Sequence, residues 1–318
     1  SKKRVCSKMR AKSKNIDRIQ AYLSAIESAD YVIATGGGFL TDAFSEHAYR
    51  IMTTLRLAQK LGKKTAMFGQ GLGPITDKRT IKVAKKVFPH LGLIGLREGV
   101  YSANIARELG APSSRVFVSG DDAIEMSIAK KPEQLGNAIG INMRVASYSD
   151  VNEQLLNNVQ HVVHSLSEVY QAQLIPIPIS GHDEDSDFKT ISKIIGKDIN
   201  ENESNSSEKV IEQVSLCRVV VTGSYHAAVY ALSQGISVVV LIGSEYYHYK
   251  FAGLANQFKS GCFFVNTFDA DFDLRLYEAI KQAWNESPAN REHLLAEAMT
   301  QIELSRNCYK QFFVDSDN

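Results

Sequence analysis

Short runs rich in Val, Ile, Phe and Leu alternate along this chain with longer amphipathic stretches that end near glycine, and that order admits few folds. A strand, a crossover helix and a further strand build a parallel sheet, because a tight turn can join only antiparallel neighbours. The runs YVIAT (31–35), KTAMFG (64–69), LGLIGL (91–96) and RVFVSG (115–120) predict strands, with helices near 43–61, 77–88 and 99–110 between them. A second series predicts strands at AIGINMR (138–144), AQLIPIPIS (172–180), VVVTG (219–223), SVVVLIG (237–243) and CFFVN (262–266). Its helices fall near 151–171, 186–196, 207–216, 226–234 and 271–286. The chain reads as α/β, with two Rossmann-like units.

At 318 residues it is longer than one ordinary domain. The polar, Pro-containing segment SIAKKPEQLGN (127–137) reads as a linker. The expected division is one domain over 1–127, a second over 128–288, and a terminal helix over 289–318 long enough to reach back to the first. Lys plus Arg is 36 against 35 for Asp plus Glu, so bulk charge gives no reason to expect nucleic acid or a membrane surface as partner. Cys6, Cys217, Cys262 and Cys308 are scattered, which argues against a zinc site or a disulfide framework and fits a reducing cytoplasm. No apolar run reaches the roughly 18 residues of a membrane span. The first 18 residues hold eight Lys or Arg against one acid, with no initiating Met and no opening strand, so an incomplete first domain is expected.

Paired Rossmann-like units place their ligand loops at the carboxyl ends of the strands, around a shared cleft. In TGGGFLTD (35–42), Gly36, Gly37 and Gly38 let backbone approach a ligand or serve only to pack a helix. Asp42 is an acceptor for sugar hydroxyls or a helix cap. Gln70 in GQGLGPI either positions substrate or sits in a loop shaped by its glycines. Arg97 binds an anion with both prongs of its guanidinium, or pairs with Glu98 or Asp122 as structural glue. Asp121 and Asp122 lack the companions of a metal site, so hydroxyl binding or general-base work is their better use. Arg144 ends a strand as an anion anchor or a surface residue, and His182 with Asp183 reads as a solvated loop. In TGSYHAAVYAL, Ser224 and Tyr225 lead into His226 on the first turn of a helix, where it is a core residue or a proton donor facing the cleft. His248 and Lys250 in GSEYYHYKF follow the next strand and would add charge at the same mouth.

The ordered set TGGGFLTD, GQGLGPI, LREGVYSANIARELG, GDDA and TGSYHAAVYALSQGISVVVL resembles the polysaccharide pyruvyl transferase family from about residue 20 to about 290. The resemblance implies a GT-B-like pair of Rossmann-like domains that moves the pyruvyl group of phosphoenolpyruvate onto two hydroxyls of a sugar, on a surface polysaccharide or its lipid- or nucleotide-linked precursor. It implies no metal and no cofactor. Arg144, Ser224, Tyr225, His226 and Lys250 would face the donor, with His226 as the acid, Lys250 beside it and Asp122 as the base. Gly36, Gly37, Gly38, Asp42, Gln70 and Arg97 would face the acceptor. Many relatives carry Arg where this chain has Ser224. A sugar-nucleotide glycosyltransferase and a non-catalytic sugar-binding relative share the same pattern, and a homo-oligomer stays open.

Overall fold

The computed structural model describes residues 16–143, 153–180, 187–199 and 206–314. The first unit opens with α1 (residues 16–28), β1 (Tyr31–Ala34) and β2 (Gly37–Leu40). It continues through α2 (Ser45–Lys60), β3 (Lys64–Leu72), α3 (Lys78–Val87), β4 (Leu93–Leu96), α4 (Ser102–Glu108), β5 (Val116–Val118) and α5 (Ala123–Ile128). Its parallel sheet has the order β1-β3-β4-β5, and β2 pairs with the far end of β3 through Gly37–Gln70 and Leu40–Leu72.

The second unit holds β6 (Ala138–Asn142), α6 (Glu153–Tyr170), β7 (Gln173–Pro176), α7 (Asp187–Ile195), α8 (Ser207–Ser215) and β8 (Cys217–Thr222). After these come α9 (Tyr225–Ser233), β9 (Ser237–Ile242), α10 (Glu245–Phe258), β10 (Cys262–Asn266) and α11 (Phe272–Val314). The order β10-β9-β8-β6-β7 is parallel throughout.

The two-residue period of a strand sorts these cores. Val219, Val221, Val239 and Leu241 point into one layer with α6, α7 and the start of α11. Val220, Val238 and Val240 point into the other, with α8, α9 and Phe251 of α10. In the first unit Met67, Ile94 and Leu96 face α2 and α3. Ala66, Phe68 and Leu93 face the opposite way, onto Cys308 and Phe312 of α11.

That last contact closes the architecture. At 43 residues, α11 runs about 65 Å at 1.5 Å per residue, from the second core to the far side of the first sheet. One helix near 271–286 and a separate terminal helix from 289 were expected, yet a single helix runs through both and through Pro288. Proline withholds the N–H that would bond the carbonyl four residues back. Here Arg218 Nε donates to that carbonyl, Trp284 O, at 3.0 Å, while its guanidinium carbon lies 5.1 Å from the Trp284 ring centre.

Other expectations shift as well. β2 lies where a turn was expected, α5 lies at the start of the expected linker, and α10 covers the cluster read as a strand-end loop. No helix among the described residues is long and apolar enough to cross a membrane.

Candidate functional site

In the second sheet, β7 lies on one side of β6 and β8 on the other, so the loops leaving β6 and β8 part and leave a crevice. The loop after β8 is fixed from below by buried polar groups. Thr222 Oγ1 donates to Asn142 Oδ1 at 2.9 Å and accepts from Ser224 N at 2.8 Å. Asn142 Nδ2 in turn donates to Ile177 O at 2.8 Å and to Asp187 Oδ2 at 3.1 Å. Gly223 and Ser224 are thus held as the turn into α9, whose first amides have no intrahelical acceptor and gain no side-chain cap from Ser224.

A cleft of about 460 Å³ opens over this turn, between the two units. Gly223, Ser224, Tyr225, His226, Tyr247 and Lys250 form one wall, and Gly38, Phe39, Phe44, His47 and Arg97 come from the other unit. Tyr225 is buried and sits between cations. Arg97 Cζ lies 4.0 Å from its ring centre and Lys250 Nζ 5.5 Å. Phe39 and His47 meet edge to face, with ring centres 5.1 Å apart.

Crowding these cations in a buried place moves their titration. Burial, reinforced by Arg97 and opposed by Asp121, brings Lys250 down to about 7. Burial also lowers His226; Asp121 pulls it back up, while Arg97 and Lys250 push it further down. The free site therefore resists holding both groups charged, and an incoming anion relieves that resistance.

The expected site residues separate into two groups. His226, Lys250, Ser224, Tyr225, Arg97 and Gly38 meet at the cleft. Arg144, His182 and Asp183 lie outside the described residues. His248 stands on α10 but is not part of the cleft lining.

The remainder are committed to their own chain. Asp42 accepts the amides of Thr76, at 2.7 Å, and Asp77, at 3.0 Å, so it staples a loop rather than facing a sugar. Gln70 is fully buried and donates to Thr35 O at 2.7 Å and Phe68 O at 3.1 Å. Asp122 lines a separate cavity of about 230 Å³ beside α11, where Ser305 and Tyr309 donate to it, each at 3.2 Å. Burial, with Asp121 second, raises its carboxyl. A Cβ on Gly36 would stand 3.3 Å from Asp122 Oδ2, so that glycine admits a side chain of the protein rather than a ligand. Gly37 is absent from the cleft lining and pairs with Gln70 in β2.

The sequence reading missed His47, Phe39 and Phe44, which supply the facing wall. Their only local signal is closeness to the glycine run, since the face that α2 turns to the second unit is set by packing between units.

A model of the family described as polysaccharide pyruvyl transferase matches residues 2–245. No curated protein matches the chain. Among solved structures the fold is similar to a UDP-GlcNAc 2-epimerase from Neisseria meningitidis, bound to UDP-GlcNAc, at 14% identity and a TM-score of 0.60, covering 92% of this chain and 80% of that one. It is similar to HepE from Anabaena in complex with UDP, at 11% identity and a TM-score of 0.59, covering 93% and 82%. A UDP-GlcNAc 2-epimerase from Methanocaldococcus jannaschii matches at 13% identity and a TM-score of 0.57, covering 91% and 81%. These likenesses identify the architecture as GT-B-like.

Proposed function

Because the chain belongs to the polysaccharide pyruvyl transferase family, we propose that it transfers the pyruvyl group of phosphoenolpyruvate onto two hydroxyls of a sugar, forming a cyclic ketal. The observation that carries this reading is the meeting of His226, Lys250 and Arg97 in one cleft between the two units.

Phosphoenolpyruvate carries close to three negative charges near neutral pH, so a site for it must offer several cations away from bulk water. Lys250 and the amino end of α9 suit its phosphate, and Arg144, two residues beyond β6 in the sequence, belongs to the same proposal. Burial keeps His226 deprotonated in the free protein, and the anionic donor reverses that preference, so the imidazole gains its proton together with the donor. It then passes that proton to the methylene carbon. A sugar hydroxyl attacks the adjacent carbon, phosphate departs with the C–O bond electrons, and the second hydroxyl closes the ketal. Of the two hydroxyl protons one leaves with phosphate and the other recharges the imidazole, which releases it when the product departs and so returns to its free, neutral form.

Release of inorganic phosphate from phosphoenolpyruvate, screened against sugars and lipid- or nucleotide-linked saccharides, tests the reading. Activity that survives His226→Gln at the wild-type rate refutes the role of the imidazole. The structural neighbours solved with UDP or UDP-GlcNAc favour a second reading, a sugar-nucleotide donor in the same cleft. Thermal stabilisation by UDP-sugars and none by phosphoenolpyruvate would select it.

A further inference from the structure

Charge is unevenly spread along this nearly neutral chain. Between residues 51 and 96 stand nine Lys or Arg and a single acid, Asp77. Asp77 is already used at the start of α3, where its carboxylate accepts the amides of Arg79 and Thr80. Lys60, Lys85 and Lys86, in the last turns of α2 and α3, answer the negative ends of those helices. Lys63, Lys64, His90 and Arg115 lie past the ends of α2, α3 and α4 and need another account.

These four meet at a cavity of about 480 Å³ on the first unit. Parallel strands bring them together: Lys63 and Lys64 lead into β3, His90 into β4 and Arg115 into β5, so three neighbouring strand starts share one edge. It is the edge opposite the main cleft, where Arg97 stands just past the end of β4. At about 3.3 Å per residue, the nine residues of β3 set the two edges roughly 30 Å apart.

Among the described residues no carboxylate lines this cavity. Phe312 of α11 contributes an apolar wall, and Gly92 keeps it accessible, since a Cβ there would stand 3.0 Å from the Phe312 ring. Arg115 is braced, because its Nη1 donates to Leu91 O at 3.2 Å. Ser114 and Gln311 bring neutral hydrogen-bonding groups to the same lining. Like charges gathered around a concavity repel one another, and an entering anion relieves that repulsion. Two ammonium groups and a guanidinium suit phosphate oxygens, and both their number and the volume favour a group larger than one phosphate.

We propose that this cavity is a second anion site, which binds the diphosphate or bisphosphate group of a phosphorylated ligand. It is separate from the cleft and independent of how the cleft is read. An occupant there bridges α11 and the starts of β3 and β5, and so fastens the helix that joins the two units onto the first sheet. The same group can arrive on a soluble metabolite or on a lipid.

Inorganic pyrophosphate is the probe, titrated by calorimetry into the full chain carrying Lys250→Met, which takes a cation out of the main cleft. Binding should persist in that background and fall at least about tenfold when Lys63→Gln and Arg115→Gln are added. It should change less than about twofold when Lys82→Gln and Lys85→Gln are added instead, a pair on α3 outside the cavity that removes the same charge. No binding in the Lys250→Met background, no loss with the cavity pair, or an equal loss with both pairs overturns the site. Lys63 is half-buried and Arg115 exposed, so neither substitution touches the core. Sedimentation with phosphatidylglycerol vesicles then separates the two sources. Pelleting that pyrophosphate competes away and the cavity pair abolishes assigns the group to a lipid; pyrophosphate binding without pelleting assigns it to a soluble ligand, and each upholds the site.

Discussion

Lys250→Met should make the protein more stable, and by an amount that depends on pH. The ammonium has an ordinary value of 10.5 and is brought to about 7 in the fold. Between those values the unfolded chain binds a proton that the folded chain does not, so stability rises with pH across the window and is lowest below it. At 1.36 kcal/mol per pH unit, the penalty at pH 6 is about 5 kcal/mol; at pH 9, where only the unfolded chain is charged, it is about 2 kcal/mol. Methionine has a similar length and no charge, so the variant escapes both penalties. Urea midpoints at pH 6 and pH 9 should therefore show an advantage for Lys250→Met that shrinks by about 3 kcal/mol between the two. An advantage equal at both pH values, or none at either, would mean that burial does not perturb this amine.

The same linkage predicts that phosphoenolpyruvate binding at pH 8 takes up more than one proton, shared between Lys250 and His226, read by calorimetry in buffers of different ionisation enthalpy; zero uptake contradicts it. Gly71→Ala brings a methyl to 2.4 Å from Arg97 Nε, which moves the fork by about 1 Å and should lower kcat/KM for the donor on the order of 100-fold. Asp122→Asn should raise the melting temperature at pH 7, because burial raises that carboxyl and its ionised form is the disfavoured one. The gain should vanish as pH falls below the ordinary aspartate value. Phe312→Ala opens the small core under the first sheet and should cost about 3–5 kcal/mol by urea unfolding.

Much of the architecture was legible because it is written in local periods. Valine alternation in β8 and β9 sets both the strands and the two faces they serve. His226 was legible for the same reason, since a strand, a Gly–Ser turn and small helix residues place it at a strand tip. β2 was not, because three glycines carry no strand signal and its pairing depends on the far end of β3. The sequence EYYHYKF has the aromatic content of a strand and was read as a loop, although it forms the first turns of α10, which packing of Phe251 and Leu254 holds in place.

Polar residues at strand tips posed a harder problem. Asp42, Gln70, Asp122 and Arg97 carry the same local signal, and what distinguishes them lies far along the chain. Asp42 finds its partners at Thr76 and Asp77, Gln70 at Thr35, and Asp122 at Ser305 and Tyr309. Arg97 finds an aromatic ring and, among the described residues, no side chain within hydrogen-bond range of its guanidinium. Sequence shows the donor; only the assembled fold shows whether its appetite has already been met.

The seating of Phe312 on Phe68 imposes an order on biosynthesis. A ribosome makes the first sheet early, but one face of that sheet stays bare until the far end of α11 has emerged, and at about 5–20 residues per second the wait lasts many seconds. Nascent protein thus has a period in which Phe68 and Leu93 lack their cover, and the far turns of α11 end it.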